Sequence, residues 1–244
     1  MKLAYSRLYA KYHPDTPEHR RGLTLLHQRT LLPHLPADRS AAILDVGCGG
    51  GFALQDLAAA GYTNLRGIET DPGQAEGARA RGIDATLVAK SEDFLAAHPD
   101  RFAVVLLIDV LEHVPREAQP EFLQAIARSL RPGGRLVCSV PNAASAVASY
   151  WFYNDYTHVL AFTADSLGGL LEQTGLAGVR FFGPELFPRP RFTFWLPFPR
   201  SVAWWLRCLT RWRQRAALVG ELGWARGREV ILTPNLLAVA TKAE

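Results

Sequence analysis

A strand that runs straight into a glycine turn and out into a helix leaves a chain few folds to choose from, and residues 41–60 have that form. The apolar run Ala41-Ala42-Ile43-Leu44 reads as a buried parallel strand. Asp45-Val46-Gly47-Cys48-Gly49-Gly50-Gly51 is the turn, and Phe52 to Ala60 is the helix behind it. Without a Cβ, glycine lets the backbone bend sharply and approach a ligand closely. The helix N-terminus that follows offers unpaired N–H groups. Eighteen residues beyond Gly51, a second strand, Asn64 to Ile68, delivers Glu69. A carboxylate in that place can accept both hydroxyls of a ribose. The pattern describes a nucleoside-bearing cofactor lying across the ends of two adjacent strands.

Strands and helices then alternate, as in a doubly wound α/β sheet. The patterns predict strands at 41–46, 64–69, 84–88, 102–109, 134–140, 179–182 and 236–241. Helices are predicted at 51–60, 72–81, 116–130 and 165–174, with a short capped turn at Ser91-Glu92-Asp93-Phe94. Glu18 to Leu32 has helical spacing and ends at Pro33. The expected division is a helical cover over 1–40, a core over 41–183, a basic aromatic insertion over 184–234 and the last core strand over 235–244.

The glycine spacing is G-x-G-x-G, unlike the G-x-G-x-x-G of many dinucleotide binders. Asp45-Val46-Gly47-Cys48-Gly49 resembles the first motif of class I S-adenosylmethionine-dependent methyltransferases. Three more segments resemble that superfamily in the same order: Gly67-Ile68-Glu69-Thr70-Asp71-Pro72, Ile108-Asp109-Val110-Leu111-Glu112-His113-Val114 and Leu130-Arg131-Pro132-Gly133-Gly134-Arg135-Leu136. The resemblance implies a seven-stranded, mostly parallel sheet whose last strand inserts antiparallel, and S-adenosylmethionine as the cofactor. Its expected contacts are Asp45, Gly47, Cys48, Gly49, Gly51, Glu69 and Thr70. Lys90, Ser91 and Glu92 are expected at the adenine edge, and Ile108, Asp109 and His113 near the sulfonium.

On the acceptor side, Asp155-Tyr156-Thr157-His158 followed by Phe162-Thr163-Ala164-Asp165-Ser166-Leu167 resembles a motif of bacterial methyltransferases of the polysaccharide-biosynthesis type. Pro141-Asn142-Ala143-Ala144-Ser145 and the segment from Thr233 to Ala240 extend that likeness. Where that family usually has Glu after the histidine, this chain has Val159. A free histidine titrates near ~6.5 and can take a hydroxyl proton at neutral pH, so His158 is the candidate general base, with Asp155 to orient it. The likeness implies O-methylation of a sugar hydroxyl on a glycan or its nucleotide- or lipid-linked precursor. A rival chemistry uses Asp109, Glu112 and His113, because related quinone-biosynthesis O-methyltransferases carry a similar acidic-x-x-Glu-His run. A divalent cation there would lower a phenol's pKa and clamp a catechol. The alternative without metal has Glu112 and His113 cap the next helix, and no metal is assigned. A third alternative is a cofactor-binding scaffold without catalysis. Tyr12-His13-Pro14 and His19-Arg20-Arg21 are either a lid over the cofactor or a solvated helix.

No apolar run reaches the ~18 residues needed to span a bilayer. The N-terminus has no signal-peptide pattern, and Cys48, Cys138 and Cys208 form no metal or disulfide spacing. A cytoplasmic protein is expected. The net charge of +4 is modest, but it is unevenly spread: from Arg189 to Arg228 there are nine arginines, no lysine and one acid, Glu221. Five of the six tryptophans lie after position 190. Ser201 to Val219 has helical spacing, with Ser201 as expected N-cap. Val202, Trp205, Leu206, Leu209, Trp212, Ala216 and Val219 fall on one face and Arg207, Arg211 and Arg215 on another. Three uses suit such a helix: peripheral contact with an anionic membrane through 195–219, an acceptor pocket, or packing on its own domain or a partner. A nucleic-acid partner is not expected, since the net charge is small and no recognition motif is present.

Overall fold

The computed structural model describes residues 16–184 and 199–243. Seven strands form one sheet: β1 (Ile43–Val46), β2 (Leu65–Glu69), β3 (Ala85–Leu87), β4 (Phe102–Ile108), β5 (Leu130–Pro141), β6 (Leu176–Phe182) and β7 (Asn235–Lys242). Their order is β3-β2-β1-β4-β5-β7-β6. The first five are parallel, and β7 runs antiparallel between β5 and β6. The doubly wound, mostly parallel sheet is therefore present, including the inserted last strand.

The reason lies in the strand sequences. Phe-Ala-Val-Val-Leu-Leu-Ile of β4 has no polar residue, and its first six positions are buried. Val105 and Leu107 join the core on one face with Leu123 and Ile126, and Val104 and Leu106 join the core on the other with Ile43 and Leu57. A strand buried on both faces needs helices on both faces, and parallel pairing follows from those crossovers. The flanking helices are α1 (Pro17–Thr30), α2 (Phe52–Ala59), α3 (Pro72–Ala80), α4 (Ser91–Ala96), α5 (Gln119–Ser129), α6 (Ala148–Asn154) and α7 (Ala164–Glu172). Asp71 caps α3 by accepting from the Gln74 amide, and Thr163 and Ser166 form a capping box on α7.

Several local expectations are corrected. The segment from Ser91 is a six-residue helix whose N-cap is Lys90, so Ser91 is not its cap. Helix α8 (Pro199–Leu222) begins at its proline, which suits a first helical position, and Ser201 lies inside it. Two helices were not anticipated, α6 and α9 (Trp224–Glu229), both too short for periodicity to reveal.

Tyr12-His13-Pro14 lies outside the described residues. Arg20 is not on a solvated face: it donates to Gln55 Oε1 at 3.0 Å and lies 4.2 Å over the Phe52 ring. Asp56 of α2 accepts from Thr24 at 2.9 Å and pairs with His27 Nδ1 at 2.6 Å. Helix α1 thus braces the helix that starts behind the glycine turn. Burial opposes ionisation of Asp56, but the His27 and Thr24 hydrogen bonds outweigh it and hold its pKa below the usual value. The stabilisation is therefore present above the carboxylate's unfolded pKa and is lost as pH falls through the folded one. Asp56→Ala should lower stability at pH 7 by about 1–3 kcal/mol, as expected for an orphaned hydrogen-bonded pair. Denaturant unfolding at pH 7 and pH 3 checks this, and the difference from wild type should shrink at the lower pH.

Candidate active site

The C-terminal ends of β1, β2, β4 and β5 meet along one edge of the sheet, where open α/β folds bind ligands. At β1 the turn takes three left-handed residues, Gly47 (φ 70), Gly49 (φ 51) and Gly51 (φ 77). Side chains rarely adopt that conformation, and a Cβ on Gly47 would stand 2.6 Å from Val110 Cγ2. The amides of Gly47 and Cys48 both donate to Ile68 O. Glu69 then closes the turn: its Oε2 accepts from the Gly49 amide at 2.8 Å, and its Oε1 accepts from the amides of Thr70 at 2.7 Å and Asp71 at 2.9 Å. Thr70 itself is exposed at the strand end.

Asp45 is buried beneath this turn. Burial, and then the charge of Glu69, push its pKa up to about 8, so it carries a proton at neutral pH. Cys48 points into an apolar cluster with Leu54, Ala78 and Ala85. Its thiol pKa is raised by burial and by the acids nearby, so it is no nucleophile. Lys90, Ser91 and Glu92 start α4, on a connection tied to β2 by the Val88 amide donating to Glu69 O. Ile108 ends β4. Asp109 follows in a left-handed conformation (φ 53), which costs energy for a residue with a Cβ. Its Oδ1 accepts from Ser139 and Asn235, each at 3.0 Å.

The acceptor side is built on a 3-10 turn, Leu111–His113, stapled by buried Gln119, whose Nε2 donates to the carbonyls of Leu111 and Val114. The Asp155–His158 loop lies against it, with the Val159 amide donating to Glu112 O at 2.7 Å. The carboxylate of Asp155 does not orient His158, as the sequence suggested. It accepts from the amide and hydroxyl of Thr157, at 2.8 and 2.7 Å. Burial works against its ionisation, but those two bonds prevail and keep its pKa low. Since the single Thr157 hydroxyl proton goes to Asp155, Thr157 Oγ1 accepts from His113 Nδ1, 2.8 Å away. His113, with a pKa lowered by burial and then by His158, therefore carries its lone pair on Nε2. His158 is oriented instead by the carbonyl of Phe152, which accepts from its Nδ1 at 3.0 Å. In the neutral ring its lone pair is likewise on Nε2.

The two imidazoles lie 4.7 Å apart. With Glu112 they bring ligand-type atoms within 4.8 Å of one another. Glu112 is 1% exposed, and both its carboxylate oxygens are buried without a hydrogen-bond partner. Burial, with the charge of Asp109, raises its pKa well above the ordinary range. The cluster is rich in acceptors and poor in donors, so it suits a proton, a cation or a hydroxyl group. Thr157, Phe152 and Gln119 were not legible as site residues: one acts through a hydroxyl relay, one through its main chain and one from beneath the turn.

A family model described as a methyltransferase domain matches residues 18–180, well over half of the chain. A ubiquinone biosynthesis O-methyltransferase from Thiobacillus denitrificans is 39% identical over 106 residues, which span 41% of this chain and 44% of that protein. The chain thus matches less than half the length of this curated relative. A SAM-dependent methyltransferase from Archaeoglobus fulgidus superposes with a TM-score of 0.68 over 98% of this chain and 100% of its own, at 17% identity. Phosphoethanolamine N-methyltransferase 2 of Haemonchus contortus, solved with S-adenosyl-L-methionine, gives 0.56 over 97% of this chain and 59% of its own, at 14% identity. At such identities these two likenesses are of fold. With sheet order, glycine turn and matched domain in agreement, the chain belongs to the methyltransferase-domain family and has the fold of S-adenosylmethionine-dependent methyltransferases.

Proposed function

We propose that this enzyme methylates a hydroxyl oxygen, with His158 Nε2 as the base that receives the hydroxyl proton. The observation that carries this reading is the orientation of His158 by the Phe152 carbonyl, which leaves Nε2 as the basic atom beside Glu112. S-adenosylmethionine supplies the methyl group and leaves as S-adenosylhomocysteine. The residues at the sheet edge fit it: left-handed glycines keep side chains off the turn, and Glu69 stands at the next strand end. Glu69 has its oxygens on three amides, so its first role is to hold the turn, with the outward lone pair of Oε2 left for a ribose hydroxyl. Lys90 to Glu92 would border the adenine, and Ile108, Asp109 and His113 the sulfonium.

For the acceptor, the relatives favour a hydroxylated ring over a sugar, since they are ubiquinone biosynthesis O-methyltransferases. The sugar hydroxyl rests on the likeness carried by the Asp155–Leu167 motif with the Pro141–Ser145 and Thr233–Ala240 segments. The Glu112, His113 and His158 cluster supports a second reading, in which it holds a divalent cation. A carboxylate with two imidazoles suits zinc or a similar transition metal better than magnesium. Such an ion would lower the pKa of a phenol and fix its oxygen. His158 would then be a ligand and not the base.

Three measurements test these assignments. Calorimetric titration with S-adenosylmethionine should show Glu69→Ala weakened by roughly 10- to 150-fold, the value of a hydrogen-bonded charge. His158→Ala should lower kcat on a catechol acceptor by about 10²–10⁴-fold and leave cofactor affinity unchanged; equal turnover would exclude His158 as the base. If a cation is used, a chelator and Glu112→Gln should each abolish turnover without altering cofactor binding, and zinc should restore the chelated enzyme. Turnover that survives the chelator excludes the metal reading.

A further inference from the structure

The insertion before β7 carries its amphipathic helix inside out. Along α8, Trp204, Arg207, Cys208, Arg211, Gln214, Arg215, Leu218 and Val219 form the half-buried side, so Val219 leaves the apolar face it was expected to share. The arginine stripe thus lies on the side turned to the body of the protein. Arg215 Nη1 donates to Gly227 O at 2.6 Å, and Gln214 Nε2 donates to Ala144 O at 2.5 Å. Helix α9 crosses closely: a Cβ on Gly227 would stand 2.6 Å from the backbone of Val219. The apolar stripe faces outward. Val202, Trp205, Leu206, Leu209 and Trp212 are between 47% and 68% exposed, and Trp224 of α9 is 71% exposed. Water is a poor environment for such a run of large apolar side chains, and contiguous exposed patches mark interaction sites.

We propose that this face docks on an anionic lipid bilayer, with α8 lying in the plane of the interface. Charge selects this occupant. Across the whole insertion, 184–234, the sequence has nine arginines against three acids, Glu185, Glu221 and Glu229, so its summed charge is strongly basic, and exposed Arg213 and Arg228 flank or interrupt the apolar stripe. A second copy docked through the same face would bring two basic insertions together, because a two-fold interface pairs a patch with itself. Anionic headgroups neutralise them, and tryptophans favour the headgroup level. Five arginines lie within the 24 residues of α8, and no described helix is long and apolar enough to cross a membrane. The helix therefore lies on the bilayer and does not cross it. Gln214 holds it to the β5–α6 connection, on the sheet edge that carries the candidate site, so docking would bring that edge towards the lipid surface. The inference stands apart from the choice of acceptor.

The test is sedimentation of the full-length protein with vesicles of phosphatidylcholine alone and of equimolar phosphatidylcholine and phosphatidylglycerol. Binding to the second, weakened by salt and accompanied by a blue shift of tryptophan emission, is expected. The combined variant Trp205→Ser, Leu206→Gln, Leu209→Gln and Trp212→Ser should abolish sedimentation. Arg213→Glu with Arg228→Glu should weaken it by about fivefold or more per residue. Both variants should still bind S-adenosylmethionine in calorimetry, which separates lost docking from lost folding. Wild-type protein that binds the cofactor but neither vesicle, or both vesicles equally, overturns the proposal. A solution dimer dissolved by the four apolar substitutions, with no vesicle binding, overturns it in favour of a second copy.

Discussion

Glu69 gathers backbone N–H groups from two sides of the sheet edge, and the glycine-turn half of the candidate site is organised around that gathering. Its Oε2 takes the Gly49 amide of the turn after β1, and its Oε1 takes the two amides that open the connection after β2. The left-handed turn has no regular secondary structure to satisfy its donors, and a buried amide without an acceptor is costly. One carboxylate therefore sets the turn, and with it the start of α2, against the neighbouring strand. Asp45 lies just below and feels the same charge, which helps to keep it protonated.

The acceptor half follows a different rule, orientation through relays. Asp155 was expected to touch the histidine after it and instead governs the other one, through the hydroxyl of Thr157. His158 is governed by a main-chain carbonyl. Both rings are thereby fixed as to which nitrogen bears the lone pair, the detail on which proton transfer or metal ligation depends. Glu112, close to both rings, is buried with neither carboxylate oxygen hydrogen-bonded. It gains from any proton, cation or hydroxyl brought to it.

The parallel core was legible because strands buried on both faces leave an unmistakable run of apolar residues, and each ended where expected to within a few positions. The glycine turn was legible because left-handed backbone demands glycine. Less was legible where function depends on direction and not on residue type. The residues Asp155, Thr157 and His158 are adjacent in sequence, but their pairing depends on loop geometry that spacing does not encode. Helix α6 spans only Ala148–Asn154 and supplies the Phe152 carbonyl, a contact independent of side-chain identity. Periodicity separated the faces of α8 correctly, apart from Val219, yet it could not say which face would turn inward.

That inversion bears on how an appendage can be added to this fold. The insertion leaves after β6 and returns into β7, the strand pair at the far side of the sheet from the glycine turn. Its return is closed by Asn142, fully buried at the end of β5, whose amide donates to the carbonyls of Ile231 and Thr233 while its oxygen accepts from the Ala144 amide. Ala144 in turn offers its carbonyl to Gln214 of α8. A single polar junction thus ties the loop that leads to His158 to the base and to the middle of the insertion. Arg226 of α9 ties the same insertion to Asp165 of α7 at 2.8 Å, so the helix with the outward apolar face is anchored to the core at more than one place.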